Sequence, residues 1–393
     1  MTLRLLSLAT LYPVPSRAGF GRFVAAQMEA LARRGDWHVT VINPIGLPPL
    51  PLPRYAPLRA VPAIETTGAL TVLHPRFSLI PGLSGRINPW AIARAVLPLA
   101  RRLHAEAPFD LIDAQFFYPD GPAAAKIARA LGLPLAIKAR GADIHYWGTR
   151  AGARPQILAA GWQARRLLAV SDALAADMAA LGLPADRIHV HRTGLDHARF
   201  HPRPRGEALA GLAALDLPAE ARLIASVGAL IARKGHDLAI AALADLPRDV
   251  VLVVAGSGPE EASLRRQAAR LGLGERVRFA GQLGHDALPL LLNAARAMVL
   301  PSASEGLANA WVEALASGTP VVIPDIGGAR EVIDRPEAGR IAAREPGAIA
   351  AALAQVLAAE TPPALVAASV ARFSWEANAA ALAAHYAAVV GGA

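Results

Sequence analysis

The sequence predicts an α/β protein of two doubly wound parallel-sheet domains. Apolar runs of strand length alternate with helical patterns along the chain, and the alternation breaks once, at a proline-rich charged segment. The 393 residues, 54% of them hydrophobic, supply two cores. In such sheets ligands sit beyond the carboxyl ends of the strands, so function is sought in the loops that follow them.

The first series opens at Leu3 to Ala9, then a loop with Gly19 and Gly21 and a helical stretch to about Arg34. These glycines either let the backbone approach a ligand at a helix N-terminus or form a tight turn with no ligand. Val39 to Ile42 is the second strand. Asn43 to Pro62, with prolines at 44, 48, 49, 51, 53, 57 and 62, is expected as a long loop over one end of the sheet. Arg86 to Arg102 is a basic amphipathic stretch interrupted by Pro98, which either lies on a membrane or covers the sheet.

Strands recur at Asp110 to Ala114, Leu135 to Lys138, Leu167 to Val170 and Ile188 to His191. Arg140, Asp143 and His145 follow the one ending at Lys138. The linker is placed at Pro202 to Pro218. It divides an N-terminal domain, 1–201, from a C-terminal domain, 202–373, with the terminal helix 374–390 packing back on the first. The second series runs Ile224 to Val227, Val250 to Ala255, Val277 to Ala280, Ala297 to Leu300 and Val321 to Pro324, spaced as βα units require.

Leu300 to Pro320 says most about chemistry. The strand gives way at Pro301 to Gly306, a helical pattern runs from Leu307 to Ala316, and Gly318-Thr319-Pro320 stops it. The start of that helix presents unpaired N–H groups and partial positive charge, which suit a phosphate. Glu305 in the loop and Glu313 on the helix bracket the position and reach hydroxyl-bearing groups on either side. A phosphate flanked by polyols is a nucleotide sugar. The plainer alternative, a solvated loop acid and a surface helix acid, fits Glu313 poorly, because it sits between Val312 and Ala314 and a buried unpaired carboxylate is costly.

At the end of Ile224 to Val227, Gly228 leads to Arg233 and Lys234 just before a helix. The helix dipole disfavours cations there, and the mismatch points to an anionic partner such as a diphosphate.

Composition narrows the classes. Without cysteine there are no disulfides and no thiol chemistry, which fits a cytoplasmic protein. No run of about 18 uncharged apolar residues exists, so no membrane-spanning helix is expected, and Leu3 to Leu11 reads as a strand rather than a signal peptide. Residues 1–193 carry 22 Lys+Arg against 11 Asp+Glu, the remainder 18 against 20. That one-sided charge suits an anionic membrane surface or a phosphate-bearing acceptor. Nucleic acid is not expected, because no basic helix, zinc ligand set or aromatic stacking motif accompanies the charge.

These residues resemble a known family. Val227-Gly228 to Arg233-Lys234-Gly235, Val254 to Pro259, Val277 to Gly281, and Leu300-Pro301-Ser302 through Glu305-Gly306 to Glu313-Ala314-Leu315-Ala316 with Gly318-Thr319-Pro320-Val321 are similar to the retaining glycosyltransferases of family 4, group 1, with a Glu-x7-Glu signature. The N-terminal half matches more loosely, through Gly19/Gly21, Asp120-Gly121, Gly141-x-Asp143 and Thr193-Gly194-Leu195-Asp196. Among members the chain looks most like bacterial cell-envelope polysaccharide transferases.

The resemblance implies the GT-B architecture, two Rossmann-like domains facing a cleft, the first on the acceptor side and the second binding the nucleotide sugar. It implies Arg233 and Lys234 on the donor diphosphate and Glu313 on the ribose hydroxyls. Glu305 would meet the transferred sugar, and the backbone of Gly306, Leu307, Ala308 and Asn309 the distal phosphate. Gln282 and Leu283 would lie near the base, and Gly228, Gly19 and Gly21 would complete the phosphate site. Configuration would be retained by same-face attack, with no enzymic nucleophile.

The expected activity is transfer from a UDP- or GDP-linked sugar to a lipid-linked or envelope saccharide acceptor, peripheral on the inner face of the membrane. No metal and no other cofactor are expected, since no Asp-x-Asp occurs. The alternatives are a nucleotide-sugar-binding partner with little turnover and a sugar-nucleotide epimerase. Arg140-Gly141-Ala142-Asp143 stands where many relatives carry His-Gly-x-Asp, so either Arg140 or His145 substitutes for that histidine on the acceptor or donor-sugar side.

Overall fold

A computed structural model of the chain describes residues 2–17, 19–68, 70–82, 84–215, 217–218, 221–284 and 286–392. Its contacts divide it into two units, Met1–Gly194 with Trp375–Ala393, and Leu195–Ser374. Each is a parallel sheet sandwiched by helices.

In the first unit the strands are β1 (Leu3–Leu8), β2 (Trp37–Ile42), β3 (Ile45–Leu47), β4 (Ile64–Thr67), β5 (Leu70–Leu73), β6 (Arg76–Ser78), β7 (Leu111–Ala114), β8 (Leu135–Ala139), β9 (Arg166–Ala169) and β10 (Ile188–Val190). Eight of them form one sheet in the order β10-β9-β8-β7-β1-β2-β5-β4, parallel except for the edge pair β4 and β5. The apolar runs are buried on both faces, as parallel strands require. The strand order reverses between β1 and β7. Thr10, after β1, is tied there to Asp120, after β7: its amide and its hydroxyl both donate to that carboxylate, at 2.9 and 2.6 Å.

The loop after β1 enters the helix Arg22–Arg33 through Gly21, at φ 72. A side chain there would be strained, and its Cβ would fall 1.4 Å from the Leu11 carbonyl oxygen. Tight packing on the chain therefore accounts for Gly21 by itself.

Asn43 to Pro62 is not one loop. It holds β3, paired with β6 in a separate two-stranded sheet, and a short helix Ala56–Arg59. Ile45–Leu47 escapes the prolines on either side, and Pro57 stands in the first turn of its helix, where no N–H is needed. Pro98 does not interrupt its stretch either. The helix Asn88–Glu106 runs through it and buries Ile92, Ala93, Val96 and Ala100, so burial of one face outweighs the missing hydrogen bond. Finally, the chain passes from one unit to the other at Gly194/Leu195 rather than at 201/202. Phe200 is buried, and Asn293 holds the following segment by accepting from the Arg203 amide at 2.6 Å and donating to the His201 carbonyl at 3.2 Å.

The last helix, Trp375–Val390, packs on the first unit against Arg22–Arg33, with Tyr386 edge-on to Trp37 at 5.7 Å. Beneath it lies a buried polar network. Lys138 Nζ donates to Gln27 Oε1 at 2.9 Å and to His191 Nδ1 at 2.6 Å, and His191 Nε2 donates to the Asn378 carbonyl at 2.9 Å. Tyr386 donates to the Asp113 carboxylate, which the Gln115 side chain also meets. Burial holds Lys138 well below the usual lysine range and pushes Asp113 up to about 6.

The second unit contains β11 (Arg222–Val227), β12 (Val250–Ala255), β13 (Val277–Gly281), β14 (Ala297–Val299), β15 (Val321–Ile323) and β16 (Gly339–Ile341), all parallel, in the order β13-β12-β11-β14-β15-β16. Its order reverses between β11 and β14. Among the described residues no helix is long and apolar enough to cross a membrane.

Candidate active site

The loops that follow β11 and β14 leave the sheet side by side at the reversal of strand order, the position where doubly wound sheets bind ligands. After β11, Gly228 starts a turn that ends in the single 3-10 turn Ala232–Lys234, ahead of the helix His236–Ala242. After β14 the chain turns through Pro301 to Ala308 into the helix Asn309–Ala316, two residues later than the apolar pattern suggested. Ala308, the residue before the helix, keeps an extended backbone and has no side-chain acceptor of its own.

The two loops are joined by charge. Glu305, 9% exposed, receives Lys234 Nζ on one oxygen at 2.5 Å and Arg233 Nη1 on the other at 3.3 Å. Arg233 also donates to the Ser304 carbonyl, and the Ala303 amide donates to the Arg233 carbonyl at 2.7 Å. The dipole mismatch at the cation pair is therefore met within the chain by Glu305. The solvated-loop reading of that acid does not hold.

A residue absent from the sequence-based candidates shapes this loop. Gly327, after β15, lies at φ 48, and a Cβ there would fall 2.3 Å from the Glu305 carbonyl oxygen and 2.5 Å from that of Gly306. Next to it the Gly328 amide donates to the Gly306 carbonyl at 2.7 Å. Only a glycine lets the two segments come so close.

Glu313 stands one turn into the helix Asn309–Ala316, half-buried, while Trp311, Val312 and Ala314 are fully buried. Burial pushes its carboxyl up to about 7, opposed in part by Arg199. Gln282 and Leu283 follow β13, on the far side of β11 and β12 from the Glu305 loop; Gln282 is exposed and Leu283 half-buried.

In the first unit Arg140 and Asp143 meet through the Arg140 amide, while His145 stands apart from both. Asp143 is fully buried, and its carboxylate is taken up by the amides of Phe117 at 2.8 Å, Gly141 at 2.8 Å and Arg140 at 3.0 Å, so it organises the loop. Arg140 donates to the Gln115 carbonyl at 2.9 Å and side-chain oxygen at 2.7 Å, and stacks over Phe23 at 4.6 Å. His145 Nε2 meets Asp177 at 2.9 Å. The three do not converge. Arg140 instead joins the buried network of Gln115, Asp113 and Lys138. Gly19 lies in an exposed turn.

Residues 212–374 match the family model for glycosyl transferases group 1, and residues 17–199 match that for glycosyltransferase family 4. A D-inositol 3-phosphate glycosyltransferase of Mycolicibacterium vanbaalenii is 37% identical over 51% of the chain; the match spans about half, 47%, of that relative's length. The putative teichuronic acid biosynthesis glycosyltransferase TuaC of Bacillus subtilis is 29% identical over 83% of this chain and 82% of its own. Among solved structures, sucrose-phosphate synthase of Thermosynechococcus elongatus superposes with a TM-score of 0.82 at 23% identity, covering 99% of this chain and all of that one. Anabaena Alr3699/HepE in complex with UDP-glucose gives 0.72 at 21%, over 98% of this chain and all of its own.

Proposed function

Since the chain belongs to the family 4, group 1 glycosyltransferases and has the GT-B fold, we propose that it moves a sugar from a UDP- or GDP-linked donor to a lipid-linked or envelope saccharide acceptor, with retention of configuration and without a metal ion. The observation that carries this reading is the cluster of Arg233, Lys234 and Glu305 between β11 and β14, beside the start of the helix Asn309–Ala316.

In this reading the donor's diphosphate takes Arg233 and Lys234, and the backbone of Gly306 to Asn309 meets the distal phosphate. Glu305, released from part of its ion pairing, accepts from hydroxyls of the transferred sugar. Glu313 accepts from the ribose hydroxyls, and Gln282 and Leu283 border the base. The bond from the anomeric carbon to the phosphate oxygen breaks while that carbon bonds the acceptor oxygen on the same face. The acceptor's proton passes to the departing phosphate. Two fixed cations stabilise the leaving diphosphate as its charge grows, which is the part a metal would otherwise play.

A UDP-linked donor draws support from the relative that holds UDP-glucose, and an envelope acceptor from the teichuronic acid relative. The basic charge of residues 1–193 supports a peripheral place on an anionic membrane. Thermal-shift screening of UDP- and GDP-sugars tests the donor: one of them raises the melting temperature in proportion to its affinity. No shift with any of them, at concentrations on the order of a millimolar, contradicts the reading.

A further inference from the structure

A second candidate site lies at the opposite, amino-terminal edge of the second sheet. There a cavity of about 370 Å³ opens between the residues that enter the strands: Arg222 begins β11, Arg296 immediately precedes β14 and Pro320 precedes β15. That volume is in the range of small-molecule sites. It shares no residue with the cluster around Glu305.

Four arginines line it, Arg203, Arg205, Arg222 and Arg296. Arg222 is answered by Asp249, at 2.5 and 2.9 Å. The other three have no ion pair among the described residues. Arg205 donates one N–H to the Ala221 carbonyl at 3.1 Å, and Arg203 donates one to the Arg199 carbonyl at 3.4 Å. The Nε–H of each is closed off from solvent with no acceptor, a costly state for a charged donor. Burial first, and the neighbouring Arg296 second, hold the Arg205 guanidinium below its usual range. The lining carboxylate, Glu360, is exposed.

Helices Ala287–Ala294, Asn309–Ala316 and Pro346–Ala359 end at this edge, and their negative ends favour cations. That favours arginines here. It does not fill the cavity, and it leaves Arg203, Arg205 and Arg296 without a counter-charge among the described residues. We propose that the pocket binds a small phosphate-bearing molecule, its dianionic group held among Arg203, Arg205 and Arg296 and the remainder against Val356 and Leu357. Guanidinium forks match the several oxygens of a phosphate better than a lone carboxylate does.

Calorimetric titration of the full chain with inorganic phosphate tests this. Wild type and Lys234→Ala bind it saturably, and Arg205→Gln and Arg296→Gln each weaken that binding by about tenfold or more. Arg296 is exposed and its side chain makes no hydrogen bond among the described residues, so its variant folds even if Arg205→Gln does not. The proposal is overturned if wild type shows no saturable binding. It is equally overturned if Lys234→Ala abolishes binding, which assigns the phosphate to the donor site, or if Arg296→Gln leaves the affinity unchanged, which leaves the arginines only a role at the helix ends.

Discussion

Lys234 Nζ lies 2.5 Å from Glu305 Oε1, although 71 residues separate the two in sequence. The pair is made where the loops after β11 and β14 leave the sheet on either side of its reversal. With Arg233 on the other carboxylate oxygen, two cations face one acid, which leaves a positive excess for a phosphate. Lys234→Ala is expected to leave a folded protein, because Arg233 still answers Glu305, and to lower sugar transfer by about 100-fold to 1,000-fold. Release of nucleoside diphosphate in the presence of acceptor, alongside circular dichroism, checks both halves.

Gly327→Ala is expected to impair transfer without removing any group that meets substrate. Its Cβ would push the Glu305 and Gly306 carbonyls from positions 2.3 and 2.5 Å away, in a backbone region disfavoured for alanine. Comparable loss of transfer in Gly327→Ala and Glu305→Ala, with secondary structure retained, is the expected result.

Glu313 makes stability depend on pH in a defined direction. Its folded value of about 7 lies above the ordinary 4.5, so the folded chain holds this proton more tightly than the unfolded one. The contribution is full below about pH 4.5 and is lost as pH rises through about 7. Urea titrations at pH 5 and pH 8 are expected to show Glu313→Gln losing less stability across that interval than wild type. If Glu313 also meets ribose, the same variant binds donor about 10-fold to 100-fold more weakly.

Tyr386→Phe removes a buried donor from Asp113. It is expected to cost about 1–3 kcal/mol in denaturant unfolding and to expose the helix Trp375–Val390 to protease before the rest of the first unit.

The sheets and the strand-end loops that bring Arg233, Lys234 and Glu305 together were legible because their signals are local. β11 and β14 are short apolar runs, and Arg233, Lys234, Glu305 and Glu313 each stand within a few residues of a strand end or helix start. What escaped depends on contacts between distant segments. Gly327 matters only because its backbone meets Glu305, and Lys138 closes the apolar run of β8 as an ordinary strand residue until Gln27 and His191 are found around it. Tyr386 reaches Asp113 across 273 residues, and no local pattern announces that. Pro98 misled for the opposite reason. A local rule was strong there, and burial of a 19-residue helix overrode it.

We propose Arg233 and Lys234, steadied by Glu305, as the donor diphosphate site. Calorimetric titration of UDP and GDP into wild type and the Arg233→Ala/Lys234→Ala double variant tests it most directly. Wild type is predicted to bind one of the two, and the folded double variant to bind it about 100-fold more weakly or not at all. Equal affinity in both proteins would contradict the claim.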